Sequence, residues 1–381
     1  MKCRLRKPFA ALLAAAALLA MSSAHADYVL NDLGAHVTPK AINNAGTILG
    51  FDGSGSVGVT KLWNGASSSV VPTGAYGGPV ALNDAGTMVG SQSTYYTTHA
   101  MVWSGQSSQD LGTLPSNIDS SALNANESFA VGINNAGQIV GTSGVDSPDS
   151  QEFATVWSNG QVKNLGALDP AFGSHAFGIN DVGQIVGASY VHGVPTATFW
   201  QADTMTAMGN NAGASSAALA INRAGQSVGW TGIGPGFTSK TVQHATLWNG
   251  LTPQDLGTLG GLNSRAVAIN DTGMVVGSSQ IDPFSGRTHA TLWENGQVID
   301  LNSFLTASEL AEGWVLTSAT GINDDGSIIG EAMAGPALGT SHGFVLSVAV
   351  PELGTLPMTV LALGGLLFVR RQRSGQRQVD R

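Results

Sequence analysis

Residues 133–141 read Ile-Asn-Asn-Ala-Gly-Gln-Ile-Val-Gly, and residues 179–187 read Ile-Asn-Asp-Val-Gly-Gln-Ile-Val-Gly. Variants of this phrase occur seven times, with the asparagine at Asn43, Asn83, Asn134, Asn180, Asn222, Asn270 and Asn323. A glycine follows three residues later, at Gly46, Gly86, Gly137, Gly183, Gly225, Gly273 and Gly326, and another seven residues later, from Gly50 to Gly330. Trp63, Trp103, Trp157, Trp200, Trp248 and Trp293 stand 20 to 26 residues past the first six asparagines, and Leu346 takes that place in the last copy. Matches at fixed internal offsets mark a repeat architecture.

Asn-x-x-Gly is a reversal. Asparagine suits the first turn position because its side chain can hold a backbone amide two residues on, and the closing glycine supplies a left-handed conformation. Apolar or alternating residues flank the phrase, which predicts a hairpin. Each copy adds a third strand ending at the aromatic, as in Ala290-Thr291-Leu292-Trp293, and a fourth, as in Gln297-Val298-Ile299-Asp300-Leu301. Four short strands in 40–53 residues make one propeller blade. The last copy has no fourth strand after Phe344-Val345-Leu346, but Tyr28–Gly34 reads as a spare one ahead of the first copy. Pairing the two ends predicts an all-β, closed seven-bladed β-propeller that leaves no open radial edge. The chief alternative is a β-solenoid, whose stacked coils accommodate uneven repeat lengths poorly. Separate β-sandwich modules of this size would lack an adequate core.

The two ends of the chain read as addresses. Lys2, Arg4, Arg6 and Lys7 precede an apolar stretch from Phe9 to Met21 and the small-residue site Ala24-His25-Ala26. This predicts a signal peptide over residues 1–26, read by the Sec export machinery and cut between Ala26 and Asp27. Cys3 leaves with it, so a mature chain would hold no disulfide or thiolate site. At the other end, Val350-Pro351-Glu352 is followed by an apolar run over 353–369, long enough for one membrane span, and a basic tail over 370–381 containing Arg370, Arg371 and Arg373. The propeller would occupy residues 27–349. Within residues 27–369 lie seven of the 16 Lys and Arg and 24 of the 25 Asp and Glu, a formal net charge of about −17. Such a body offers no electrostatic footprint for nucleic acid or anionic lipid.

Two resemblances follow from these motifs. The Pro-Glu dipeptide, short span and Arg-rich end resemble the PEP-CTERM sorting tail of Gram-negative bacteria, although Leu353 stands where that family usually has a second proline. The resemblance implies that Pro351 and Glu352 are read by an exosortase-like membrane protease, with the body transiently anchored, then released or attached at the cell surface. Over residues 28–347 the tandem Ile-Asn-x-x-Gly units, His99-Ala100, His244-Ala245, His289-Ala290 and the Asp-Leu-Gly strings resemble the bacterial extracellular HAF repeat family. That family is defined by its repeats and implies no catalytic residues.

Several strings imitate active sites. Gly225-Gln226-Ser227-Val228-Gly229 spells the serine-hydrolase elbow, but both glycines belong to the repeat and Ser227 falls in a strand rather than at a strained turn. Asp271-Thr272-Gly273 is a repeat turn, and Gly53-Ser54-Gly55-Ser56-Val57-Gly58 lacks the βαβ surroundings of a dinucleotide site. His99, His244, His289 and His342 recur at one place per blade, so they cannot meet on one metal and are read as packing residues bonding a neighbouring turn. The tryptophans belong in the wedges between blades, with sugar stacking a secondary role. No cofactor is expected. A weak calcium reading rests on Asp146-Ser147-Pro148-Asp149, Asp282 and Asp324-Asp325-Gly326, none of which has EF-hand spacing.

The expected function is therefore a non-catalytic propeller of the cell surface or exopolysaccharide (biofilm) matrix. Its partners would be extracellular polysaccharide or surface protein, bound through the length-variable segments 51–60, 91–98, 142–152, 230–243 and 303–316. The alternatives are a polysaccharide hydrolase or lyase with acids converging on the axis, and a purely structural surface protein.

Overall fold

A computed structural model describes residues 28–349 apart from 57, 75, 94–96, 116–126, 146–150, 212–214, 235–241 and 336–338. The expected signal peptide over 1–26, the expected cut between Ala26 and Asp27, the expected sorting tail over 350–381, and Asp146 and Asp149 lie outside the described residues. Among the described residues no helix is long and apolar enough to cross a membrane.

The described residues form seven four-stranded antiparallel sheets. Six are local, over residues 37–70, 77–110, 128–164, 174–207, 216–255 and 264–300, and form blades 1 to 6. Blade 7 combines three strands within 315–348 with Tyr28–Ala35 as its outer strand. That strand runs antiparallel to Thr340–Val348, from Tyr28 opposite Val348 to Ala35 opposite His342. The chain is a seven-bladed β-propeller closed by its two ends, and the solenoid alternative is excluded by this topology.

Each asparagine opens the inner hairpin of its blade, and Gly46, Gly86, Gly137, Gly183, Gly225, Gly273 and Gly326 close the turn at φ between 76° and 87°. The glycine seven residues past each asparagine has a different cause. The inner strand carries a bulge opposite it, as between Ala176 and Gly178 in blade 4. A Cβ on Gly187 would lie 1.9 Å from the His175 carbonyl oxygen, and one on Gly141 1.9 Å from that of Phe129. These glycines admit a backbone, not a positive φ.

The tryptophans fill the wedges. Each packs on the blade before its own: Trp157 on Val89 and Ala100, Trp200 on Val140 and Ala154, Trp293 on Val228 and Ala245. Trp63 of blade 1 meets Ile329 of blade 7, and Leu346 replaces the indole against Val276 and Leu292. Large-to-small changes at such sites cost about 3–5 kcal/mol, so the wedges supply much of the force holding the ring.

Strand direction gives the ring two unlike faces. The Asn-x-x-Gly turns and the turns between third and outer strands share one, the turn face. The connections between second and third strands, and from each outer strand to the next blade, share the other, the loop face. The described residues of all five length-variable segments lie at the loop face. Segment 303–316 departs from an irregular loop: residues 307–311 are helical, capped by Thr306, whose side chain accepts from the Glu309 backbone N–H while the Glu309 carboxylate accepts from that of Thr306.

Candidate functional site

The two mouths of the axial channel are built by opposite rules. At the turn face the seven asparagines are buried and joined in a closed cycle. The Nδ2 of Asn43 donates to the Asn83 carbonyl at 3.0 Å, Asn83 to Asn134, and so on to Asn323, which donates to Asn43 at 3.2 Å. Each Oδ1 also accepts the backbone N–H four residues on, as from Gln184 to Asn180 at 2.9 Å. The bond goes to the amide four residues on, at the start of the next strand, rather than to the one two residues on expected from sequence. The phrase that marks the sequence therefore stitches blades together as well as turning the chain.

A second circle surrounds this mouth. The backbone N–H of Asn44 donates to Asp84, of Asp84 to Asn135, of Asn135 to Asp181, of Arg223 to Asp271, of Asp271 to Asp324 and of Asp324 to Asn44, at 2.8 to 3.0 Å. The circle breaks where Arg223, which cannot accept, follows Asp181. The four carboxylates an axial enzyme would call on thus each accept an interblade hydrogen bond.

The recurrent histidines are also accounted for. His99, His244 and His289 meet Asp110, Asp255 and Asp300 of their own outer strands through Nδ1 at 2.6, 2.7 and 2.7 Å. His342 meets Asp32 across the seam at 3.0 Å. The partner is an outer-strand aspartate, not the neighbouring turn expected from sequence. In the Asp-Leu-Gly strings the other aspartate oxygen accepts the glycine N–H, as at 2.7 Å from Gly112 to Asp110. The glycine carbonyl in turn accepts from a serine of the next blade, Ser128, whose Oγ also receives the Ala100 N–H. His-Ala and Asp-Leu-Gly together form one staple between neighbouring blades.

Among the described residues no group of three or more His, Cys, Asp or Glu is placed to hold a metal ion. The Asp282 carboxylate accepts from the Phe284 and Ser285 backbone N–H groups and from the Ser285 hydroxyl. Asp324 accepts from Asp271. Ser227 of the hydrolase-like string is fully buried in its strand, opposite Trp248.

At the loop-face mouth the same pair of strand positions carries a different residue combination in every blade. One step before the bulged pair stand Thr38, Gly78, Phe129, His175, Ala217, Arg265 and Ser318, opposite Phe51, Ser91, Thr142, Ala188, Trp230, Ser278 and Glu331. Two features stand out. His175 stacks on Phe177, meets Tyr190 edge-on, lies 3.2 Å from the Thr142 hydroxyl and faces Glu152 at 3.8 Å. Burial lowers its pKa more than Glu152 raises it. Phe177 packs against the cluster of Ala188, Ala217 and Trp230, and the Arg265 guanidinium lies 5.9 Å from the Trp230 ring centre. This aromatic group belongs to blades 4 and 5 and is flanked by Thr142 and Glu152 of blade 3 and Arg265 of blade 6.

The second is a cleft of about 250 Å³ between blades 1 and 2, lined by Thr38, Lys40, Phe51, Thr60 and Gly77–Val80 among others. Phe51 is 43 % exposed. The tip of its ring abuts Gly58, where a Cβ would lie 2.0 Å from Cζ, so the dinucleotide-like string serves to seat this ring. The segment is anchored by Asp52, which accepts from Lys61 Nζ at 2.6 Å and from the Ser54 N–H at 2.9 Å. Lys61, then Ser54, holds the Asp52 pKa down at about 2. Segments 51–60, 142–152 and 230–243 thus contribute described residues to the mouth.

No known family model matches the chain, and no curated protein matches it in sequence. Similar solved structures include a Mycobacterium tuberculosis puromycin-hydrolyzing peptidase (11 % identity, TM-score 0.48), with 84 % of this chain covering 52 % of that one. TolB from Acinetobacter baumannii (11 %, 0.40) matches 84 % of this chain and 80 % of its own. YCF48 bound to D1 peptide (9 %, 0.35) matches 86 % and 98 %. The chain thus spans about half the length of the peptidase. These likenesses concern the fold alone; the blade count rests on the strand pairing described above.

Proposed function

We propose that this chain is an exported, non-catalytic β-propeller of the cell surface or exopolysaccharide matrix that binds glycan or protein through its loop face. The carrying observation is the contrast between mouths. One repeats its asparagine bonds in every blade, whereas the other varies its residues blade by blade around an open cleft and an aromatic group. A scaffold tolerates variety where a partner, rather than the ring, dictates the residue. Export rests on the residue 1–26 signal and surface placement on the tail with Pro351 and Glu352.

The test is retention of matrix polysaccharide and surface protein by the full-length chain, compared with Phe51→Ser and Arg265→Gln on the loop face and Val182→Ser on the turn face. Loss confined to the loop-face variants supports the reading. Equal retention by all of them refutes it. For the address, Pro351→Ala with Glu352→Ala should leave the chain in the membrane fraction; unchanged release argues against exosortase-like processing.

A further inference from the structure

We infer that the cleft between blades 1 and 2 binds one carboxylate-bearing sugar unit, with Lys40 pairing the carboxylate and Phe51 lying against the ring. The inference rests on the loop-face reading and gives it a ligand class.

Lys40 is the bulge residue of the inner strand of blade 1, between Pro39 and Ala41. The residues at this place in the other blades are Val80, Val131, Phe177, Leu219, Val267 and Thr320. None is charged, so the bulge has no architectural need for an ammonium. Lys61 and Lys163 are paired with carboxylates, but Lys40 is exposed and has no carboxylate or other hydrogen-bond acceptor among the described residues, although the body's formal net charge is about −17. A cation left free in so acidic a body is available to an external anion.

Gly78 keeps the cleft open. Phe129, His175 and Arg265 stand at this strand position in other blades, while here a Cβ would come within 2.8 Å of the Thr60 hydroxyl. The Thr38 and Thr60 hydroxyls make no hydrogen bond of their own among the described residues, and both line the cleft beside the exposed Phe51 ring. One cation, two free hydroxyls and an aromatic face in about 250 Å³ match a single uronate ring. A multiply charged phosphate ester would face one ammonium and a repelling body.

Isothermal titration of the full-length chain should use a glucuronate-containing oligosaccharide, its carboxyl-reduced counterpart and a sugar monophosphate. The uronate should bind about tenfold more tightly than the neutral sugar, and the preference should shrink in high salt. Lys40→Gln should abolish the preference with an unchanged melting curve, and Gly78→Ser should weaken both sugars. Equal binding of uronate and neutral sugar, indifference to Lys40→Gln, or preference for the monophosphate overturns the inference while leaving the loop-face reading intact. Failure of every sugar overturns it too, and the retention experiment on loop-face variants then decides the broader reading by itself.

Discussion

Asn180 is the most informative place to disturb the ring. Its Oδ1 accepts the Gln184 N–H at 2.9 Å, while Nδ2 donates to the Asn222 carbonyl at 2.9 Å and to Gln184 Oε1 at 2.8 Å. Asn180→Ala strands the Gln184 amide, at about 1–3 kcal/mol, and forfeits an interblade bond worth about 1 kcal/mol more. The Asn222 carbonyl keeps a donor in Gly225, at 3.0 Å, which caps the loss at about 2–4 kcal/mol. Asn180→Asp separates the two roles, since it keeps the acceptor and replaces the donor with a carboxylate facing an oxygen. Burial and that carbonyl raise the new group's folded-state pKa above the unfolded value of about 3.9. The variant should therefore approach the parent below about pH 4, where the carboxyl is protonated and can donate, and fall behind as pH rises. Urea unfolding of parent and variants at pH 3.5, 5 and 7 measures this. An Asn180→Asp deficit that is flat across that range, or below about 0.5 kcal/mol at pH 7, would show that the asparagine cycle does not bind the blades.

Other outcomes follow from the same geometry. Gly187→Ala should lower the melting temperature by about 5 °C or more, from an overlap costing roughly 3 kcal/mol. Gly50→Ala should cost less, because its nearest backbone atom is 2.9 Å from the built Cβ; calorimetry showing equal losses would contradict the close-approach argument. Cysteines at Val29 and Ser347, which are directly paired, should cross-link on oxidation in a Cys3→Ser background and raise stability by up to about 5 kcal/mol. Asp52→Asn should destabilise at pH 7, with the difference from the parent vanishing as pH falls from about 4 through about 2, because the folded-state pKa is lowered to about 2. A deficit that persists at pH 2 would remove the Lys61 contact as its cause.

The blade count and the seam were legible because both are bookkeeping on a repeat: seven asparagines, six tryptophans with Leu346, and one spare strand at Tyr28–Gly34. Interblade chemistry was hidden because the partner of Asn43 lies 40 residues on and that of Asn323 lies 280 residues back. Only the closed ring shows that they play the same part. The histidines gave a spacing signal in retrospect, since each precedes its aspartate by 11 residues in blades 2, 5 and 6. Thr306-Ala-Ser-Glu309 was a readable capping box within a segment assigned to loop. Lys40 escaped notice because a lone surface lysine looks ordinary until the bulge register sets it against six uncharged counterparts.

The outer strand of blade 7 is the first segment of the propeller to leave the ribosome, yet its partner is made last, about 310 residues later. Until that partner is made, Tyr28–Ala35 has an unsatisfied ladder, a template on which foreign strands can add. Asn31 and Asp32 in its middle make that edge less sticky while it waits. Latching by the final strand also means that a product truncated before Thr340 cannot close the ring, so only completed chains acquire the resistance to proteolysis that closure confers.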